Sequence, residues 1–267
     1  MRRLLPLLCL LFVLSTASAQ EALLLGVNDG VAGQMDYSKL IDRYQPLADY
    51  LSKLLKKPVK LESSQNLKSS TENLMKGRYD LFFSKPSNVA AQAMARANYD
   101  LVAAVKGAFT VKFIARKDSG LAKPEDIRGR RIAYAQGTFM EKAGMATLRD
   151  LGIVPKPSEL VKARYQDAIA FIVENRFADV GMVSPIVAKQ WEAKGGITVF
   201  ESKKLPFWSL IASPRLSAAQ KATVREGLLN AANDPLGQKM LNSLEITGFE
   251  AGDKQAYLDL LAWLARQ

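Results

Sequence analysis

The sequence predicts a two-lobed α/β fold, and three observations support this prediction. Short β-rich runs alternate with helical patterns along most of the chain, which is typical of α/β domains. A pattern of strand, turn and helix at residues 77–86 returns at residues 176–185. Two strand-like stretches, 109–117 and 206–212, flank the second unit. We therefore expect them to cross between the lobes as hinge strands.

The first unit begins with a strand predicted at residues 22–27. Apolar residues that share one helical face come next, and these are Leu47, Tyr50, Leu51, Leu54 and Leu55. Residues 58–61 predict the second strand. The spacing of Ser69 and Glu72 matches a capping box and predicts that a helix begins there. Residues 80–83 form an apolar run of strand length.

The second unit and the C-terminal part continue this alternation. The segments predicted as strands are 132–135, 179–183 and 206–212, and those predicted as helices are 140–151, 168–173, 218–230, 235–244 and the stretch from Lys254 onward. Because the last helices follow the second crossing, we expect them to complete the first lobe. The predicted boundaries are residues 20–108 and 206–267 for the first lobe and 109–205 for the second.

The repeated pattern joins an acidic residue, a buried strand and a turn into a helix. Asp80 opens the first copy and Ser84 stands near its end, while Asp179 and Ser184 hold these places in the second. Two similar α/β lobes explain the repeat, and chance similarity between two ordinary βα units is the alternative. We interpret both aspartates as structural, because they open strands and lie away from the strand ends where ligands bind.

The N-terminal residues have the pattern of a cleaved signal peptide at residues 1–19. It is basic at its start, apolar over residues 4–14, and ends in the cleavage motif Ala17-x-Ala19. We expect the mature chain to start at Gln20 and to reach the periplasm. A membrane anchor is the alternative, but the apolar run is too short to span a bilayer.

The composition argues against most enzyme classes. The chain has no histidine, and cleavage would remove its one cysteine, Cys9. The usual neutral-pH base and the thiolate nucleophile are then absent, and no nucleophile-elbow, phosphate-loop or zinc motif occurs. No catalytic residue, metal site or cofactor is therefore predicted, although carboxylate or lysine chemistry stays open.

The net charge is compatible with an anionic ligand. The formal charge is +11, and it falls to +9 when Arg2 and Arg3 leave with the signal peptide. Such an excess steers anions toward a cleft, or it is only a basic surface without a specific partner. The charges are spread along the chain, without a polybasic arm, so nucleic-acid binding is not predicted.

Ligand-binding residues are expected where strands end and helices begin, because unpaired N–H groups and the helix dipole favour an anion there. Gly137 and Thr138 stand at such a place, and Thr138 either binds ligand or only caps the helix. Lys85 either supplies a positive charge or is a solvated loop lysine, with Ser87 as the helix cap. Asn28 binds ligand or forms a simple turn.

One prediction places Lys85 and Thr138 opposite each other across the cleft. Trp208 is the favoured aromatic residue because it lies on a predicted crossing, with core packing as the alternative. The candidate ligand-binding residues are Asn28, Ser84, Lys85, Ser87, Asn88, Gly137, Thr138, Gln166, Ser184 and Trp208.

Four segments carry a family resemblance. Residues 44–54 have the pattern Y-x-P-L-x-x-Y-L-x-x-L, which resembles the opening helix of phosphonate/phosphate/phosphite-type periplasmic binding proteins. Residues 117–133 resemble the entry to the second lobe in the wider class of such receptors. Residues 165–181 resemble the next segment of the family, and residues 248–257 its C-terminal end.

The resemblance implies a type II periplasmic-binding-protein-like fold with an oxyanion held between two lobes. The ligand positions depart from the pattern. The family's Ser-Thr-Ser-Gly stretch is replaced by residues 136–139, where only Thr138 keeps a hydroxyl. Gln166 stands in place of a histidine and Ser84 in place of a tyrosine, and Phe207 or Trp208 replaces an acidic residue. The resemblance therefore predicts the fold but leaves the ligand open.

The leading functional prediction is a periplasmic solute-binding protein of an ABC transporter that binds a small phosphate- or phosphonate-like anion. Its predicted partners are this ligand and an ABC permease in the inner membrane. A ligand-sensing periplasmic protein that signals to a membrane partner has the same fold and is the alternative. A periplasmic enzyme is the third and less favoured class.

Overall fold

The computed structural model describes residues 21–30, 37–63 and 67–266, and the predicted signal peptide lies outside them. The strands are β1 (Leu23–Asn28), β2 (Val59–Ser63), β3 (Leu81–Ser84), β4 (Asp100–Val105), β5 (Lys112–Ala115), β6 (Ile132–Ala135), β7 (Leu160–Ala163), β8 (Val180–Val183), β9 (Ile197–Glu201), β10 (Ser209–Ala212) and β11 (Phe249–Glu250). The helices are α1 (Tyr37–Leu55), α2 (Leu67–Met75), α3 (Ser87–Arg96), α4 (Phe139–Asp150), α5 (Asp167–Glu174), α6 (Pro185–Ala193), α7 (Ala218–Leu229), α8 (Pro235–Leu244) and α9 (Lys254–Ala265).

The strands form two mixed sheets, which confirms the predicted α/β class. The first has the order β11-β4-β10-β3-β1-β2 and defines lobe 1, and the second has the order β7-β6-β8-β5-β9 and defines lobe 2. In lobe 1, β1 runs parallel to β2 and β3, and β10 lies antiparallel between β3 and β4. In lobe 2, β6 runs parallel to β7 and β8, and β5 lies antiparallel between β8 and β9.

The two sheets repeat one topology. The order β2-β1-β3-β10-β4 corresponds strand by strand to β7-β6-β8-β5-β9, with the same relative directions. This favours two similar lobes over chance similarity as the origin of the repeated sequence pattern.

The two repeated aspartates hold equivalent strands together. Asp80 accepts a hydrogen bond from the Leu24 N–H at 2.8 Å and donates its own N–H to the Leu24 carbonyl at 2.9 Å. Asp179 makes the same pair of bonds with Arg131, at 2.9 and 2.8 Å. Both side chains stand at strand entries, as the structural interpretation predicts.

Alternating side chains bury both faces of each sheet, because neighbouring residues of a strand point to opposite sides. In β3, the fully buried Phe83 packs in the core beneath α1, α7 and α8, while Phe82 packs beneath α2, α3 and α9. In β8, Met182 packs toward α4 and Val183 toward α5 and α6. Each lobe is therefore a three-layer α/β/α unit with its own core.

The chain crosses between the lobes twice, over residues 106–111 and 202–208. The crossings run antiparallel, since Phe109 and Leu205 exchange backbone hydrogen bonds of 3.0 and 2.8 Å. Each predicted hinge stretch, 109–117 and 206–212, contains the end of a crossing and the strand that comes after it. Residues 112–115 lie inside lobe 2 and residues 209–212 inside lobe 1.

Helix α9 connects the lobes a third time through side chains. It packs on α3 in lobe 1 and on α4 in lobe 2. The buried Trp263 donates its indole N–H to Asp150 Oδ2 at 2.5 Å, and Arg149 donates to the carbonyls of Trp263 and Arg266. The Lys203 ammonium, from the second crossing, lies 4.3 Å from the Trp263 ring centroid.

One local prediction is wrong. Helix α2 begins at Leu67, so Ser69 lies inside its first turn and does not cap it. A serine and a glutamate three residues apart are neighbours on any helical turn, so the spacing alone does not mark a helix start. Among the described residues, no helix is both long and apolar enough to cross a membrane.

Candidate ligand-binding cleft

The carboxyl ends of β1 and β3 bring two polar loops together in lobe 1. Asn28 and Ser84 are register partners, and the Lys85 N–H donates to the Asn28 carbonyl at 2.9 Å. Asn28 itself is buried, and its side-chain oxygen accepts from the Gly30 N–H at 3.0 Å. Gly30 has a φ of +77°, which favours glycine. The side chain of Asn28 thus forms the predicted turn.

Lys85 is not a solvated loop lysine. Its Nζ lies 2.6 Å from Asp29 Oδ1, and the two side chains are only 13 and 3 % exposed. The ammonium also lies 4.5 Å from the Trp208 ring centroid, and the Tyr44 hydroxyl donates to the same Asp29 oxygen. Burial lowers the pKa of Lys85, while the Asp29 carboxylate acts in the opposite direction. Burial and Asp29 together raise the pKa of Tyr44 well above its ordinary value.

The serines of this loop form internal bonds. The Ser84 hydroxyl donates to the Pro86 carbonyl at 2.9 Å. The Ser87 hydroxyl donates to the carbonyls of Pro206 and Phe207, at 2.6 and 3.1 Å, so it ties α3 to the second crossing and does not cap the helix. In contrast, Oδ1 of the buried Asn88 has no hydrogen-bond partner in the described part of the chain.

In lobe 2, Thr138 caps α4. Its hydroxyl accepts from the Glu141 N–H at 3.2 Å and donates to the Ala135 carbonyl at 2.7 Å. Gly137 has a φ of +77° and donates its N–H to Glu141 Oε2 at 2.6 Å. The carboxylate of Glu141 therefore occupies the helix N-terminus at which we expected an anion.

The ends of β7 and β8 add further polar groups to the lobe 2 edge. The Ser184 N–H donates to the side-chain oxygen of the buried Gln166 at 2.9 Å, and the Ser184 hydroxyl caps α6. Directly before them, the exposed Arg164 guanidinium lies 5.2 Å from the Tyr165 ring centroid. Among the described residues, Arg164 forms no ion pair of 4.0 Å or less, and it is not one of the residues that the sequence predicts to bind ligand.

Both polar edges adjoin the two crossings. On the lobe 1 side, Lys85 stacks on Trp208, which in turn stacks on Phe207 with centroids 4.7 Å apart. On the lobe 2 side, Phe109 of the first crossing contacts Phe139 at the start of α4, with centroids 5.4 Å apart. Phe207 packs against the cores of both lobes. The two edges and the crossings define a candidate ligand-binding cleft.

The topology corrects one premise of the predicted Lys85 and Thr138 pair. The equivalent of β3 in lobe 2 is β8, so Lys85 corresponds in position to Ser184 and not to Thr138. Thr138 follows β6, whose equivalent is β1, and therefore corresponds to the loop that contains Asp29. That Lys85 and Thr138 face each other remains a prediction, now without support from the repeat.

A model of the family described as the periplasmic substrate-binding protein of phosphonate ABC transporters matches residues 30–257, a range that includes most of both lobes. The chain belongs to this family. Members of the phosphonate-type binding family are periplasmic binding proteins and not enzymes. In the described residues, no three histidine, cysteine or acidic side chains form a group that could hold a metal ion.

Solved structures share this fold. A Xanthomonas citri protein bound to ATP has a TM-score of 0.75 at 18 % identity, covering 91 % of this chain and 96 % of its own. A binding-protein component of an ABC phosphonate transporter from Pseudomonas aeruginosa has 0.69 at 17 %, covering 91 and 85 %. PhnD1 from Prochlorococcus marinus, in complex with methylphosphonate, has 0.69 at 14 %, covering 91 and 96 %. At these identities the likeness is one of fold, and it confirms the two-lobed prediction.

Proposed function

We propose that this phosphonate-type binding protein holds a small oxyanion between its lobes and delivers it to an ABC permease in the inner membrane. The observation that supports this best is that the polar edges of both lobes adjoin the same two crossings, with a cation on each edge. Lys85 lies on the lobe 1 edge and Arg164 on the lobe 2 edge. Methylphosphonate, which the Prochlorococcus relative binds, is a ligand of the proposed class.

The candidate residues then take different roles. Lys85 and Arg164 donate charge-assisted hydrogen bonds to the anion. Backbone N–H groups at the start of α4, the helix that Thr138 caps, add neutral donors when the anion displaces the Glu141 carboxylate, and Trp208 offers an apolar ring face. The remaining candidates support the loops, because their polar groups already bond within the protein: Asn28, Ser84, Ser87, Gly137, Gln166 and Ser184. Asn88 stays a proposed ligand residue through its side-chain NH2 group alone, because its buried Oδ1 is an acceptor and does not bind an anion.

The proposed function includes export and domain closure. We propose cleavage after residue 19, and lobe boundaries at residues 20–108 with 206–267 and at 109–205. The segments between the sheets then act as the hinge. Closure would bring the lobe 2 edge toward Lys85 and exclude water from the anion.

The direct test is calorimetric titration of the purified protein with phosphate, phosphite, methylphosphonate, methanesulfonate and acetate. We expect binding of one molecule of at least one oxyanion, together with a higher melting temperature, because a ligand that prefers the folded state stabilises it. If no member of this series binds, the proposed ligand class is wrong.

A pair of variants tests the cleft itself. Arg164→Gln removes the lobe 2 cation, and we expect the affinity to fall about 10- to 100-fold, as for loss of a charged hydrogen bond. The control is Arg130→Gln, since Arg130 is exposed and precedes β6 at the opposite edge of the sheet. Equal affinities of the two variants would remove Arg164 from the site.

A further inference from the structure

The Asp29 carboxylate is a buried charged group of the candidate cleft with one unsatisfied oxygen. Its Oδ1 accepts from both Lys85 and Tyr44, while its Oδ2 is buried without a hydrogen-bond partner in the described part of the chain. The whole side chain is only 3 % exposed. A buried carboxylate oxygen without a donor destabilises the folded state, so its retention calls for an explanation.

Asp29 also limits what Lys85 binds. The 2.6 Å contact compensates the charge of the ammonium, so the pair as a whole is close to neutral. A ligand oxygen that accepts from Lys85 Nζ must lie within about two hydrogen-bond lengths of the Asp29 carboxylate. At such a separation a fully deprotonated oxygen is repelled by the carboxylate. An oxygen that carries a proton instead donates to it.

We propose that the Asp29 and Lys85 pair selects an oxyanion that still carries an acidic proton. Such a ligand is the monoanion of a phosphonate or of phosphate, in which one oxygen accepts from Lys85 and the P–OH group donates to Asp29. Sulfonates and sulfate present the same tetrahedral shape near neutral pH but have no proton to donate. The inference rests on the proposed function and assigns a selectivity to the same cleft.

The other charged or titratable groups near Asp29 and Lys85 are already engaged in contacts with the protein and do not accept a proton from the ligand. Arg43 of α1 forms an ion pair of 3.6 Å with Glu245, which follows α8, and both act on Lys85 only as more distant charges. Tyr44 of α1 donates to Asp29 and stays protonated, because burial and Asp29 raise its pKa. Asp29 is therefore the acceptor that meets a ligand bound to Lys85.

The first experiment uses the unmodified protein and two matched pairs of probes, methylphosphonate with methanesulfonate and phosphate with sulfate. Below the second ionisation of the phosphorus acid, we expect the protonated anion to bind about 10- to 100-fold more tightly than its sulfur analogue. Above that ionisation the preference should shrink, because the dianion has lost the donated proton. Neither methanesulfonate nor sulfate changes its charge over this pH range, so any change in their affinity reports titration of the protein itself.

The second experiment compares Asp29→Asn with Asp49→Asn. Asp49 is an exposed aspartate of α1 and serves as the matched control. Asp29→Asn removes the repulsion, so we expect methanesulfonate to bind at least about tenfold more tightly and the preference to collapse. Circular dichroism establishes that each variant is folded, and the pH series on the unmodified protein decides the question if Asp29→Asn is not.

The outcomes separate the two proposals. Equal affinity for methylphosphonate and methanesulfonate below the second ionisation leaves the oxyanion site in place and overturns the selectivity. An unchanged preference in folded Asp29→Asn does the same. If neither these four anions nor phosphite binds, both the proposed function and this inference are wrong.

Discussion

Removing the Lys85 charge should destabilise the protein as well as weaken its ligand binding. Lys85→Met keeps a chain of similar length but leaves the Asp29 carboxylate buried and without its ion-pair partner. The two side chains are 13 and 3 % exposed, so water screens the remaining charge little. Breaking a buried ion pair in this way costs about 3–5 kcal/mol of folding free energy.

A double-mutant cycle isolates the interaction. Asp29→Asn combined with Lys85→Met leaves no unpaired charge, so we expect the double variant to be more stable than Lys85→Met alone. Neutral replacement of a whole buried pair is often without net cost. The double variant should then lose less stability than the sum of the two single losses. The difference should lie at the upper end of about 0.5–3 kcal/mol, the range for residues in contact.

Urea unfolding followed by circular dichroism and by tryptophan fluorescence measures these free energies. Lys53→Met is the control, because Lys53 forms an ion pair with Asp234 but is 49 % exposed. An exposed pair of this kind contributes at most about 1 kcal/mol. If Lys85→Met unfolds like Lys53→Met and the double variant gains nothing, the buried ion pair does not stabilise the fold.

Three further predictions concern the scaffold. Gly181→Ala in β8 should lose about 1–3 kcal/mol in urea unfolding, because the added Cβ would lie 2.5 Å from a methyl carbon of Ile169. Burial raises the pKa of Tyr99 to about 12 from its ordinary value of 10.0. Its stabilising contribution is therefore complete below pH 10 and is lost as the pH rises toward 12, and Tyr99→Phe should make stability less dependent on pH in this window. Trp263→Phe removes the hydrogen bond between α9 and Asp150, and should cost about 1.5 kcal/mol, the low end for a charged acceptor, since Asp150 is 40 % exposed. A Trp263→Phe variant as stable as the parent would show that the Trp263–Asp150 hydrogen bond does not stabilise the joining of the lobes.

The alternation of strands and helices was predictable where hydrophobic periodicity was strong. Strand β6 and helix α8 have the bounds that the sequence predicts, since each is an apolar pattern with clear turn residues at its ends. Helix α4 was predicted at residues 140–151 and begins and ends one residue earlier. Strand β8 was predicted at residues 179–183 and begins one residue later. Strands β4, β7, β9 and β11 were not predicted. Strand β11 has only two residues, and β7 and β9 form the two edges of the lobe 2 sheet, where neither is fully buried. Strand β4 is a buried apolar run and was missed although its pattern is strong.

The chemistry of the candidate site was less predictable than its location. Lys85 was selected because it follows a strand, and the structure places it at the predicted edge. Its pairing with Asp29, and the bond from Tyr44 to Asp29, depend on contacts between residues 56 and 15 positions apart in the chain, which no local pattern encodes. Arg164 was missed for a related reason. Arg164 reaches the polar edge of lobe 2 only because β7 pairs parallel with β6, which brings residue 164 to the same edge as Thr138.

At each polar edge of the candidate cleft, a carboxylate of the protein itself binds a donor group that could otherwise bind an anion. In lobe 1 Asp29 contacts the Lys85 ammonium, and in lobe 2 Glu141 accepts from Gly137 at the start of α4. In the proposed function an entering anion would exchange with these groups, so part of its interaction energy would offset bonds that are lost. The exchange lowers affinity for any anion, but it lowers it least for a ligand that satisfies the displaced carboxylate. Specificity is a difference between the affinities for two ligands. A carboxylate of the protein that competes with the ligand for the same donor weakens one anion more than another, and therefore gives specificity without an additional contact to the ligand.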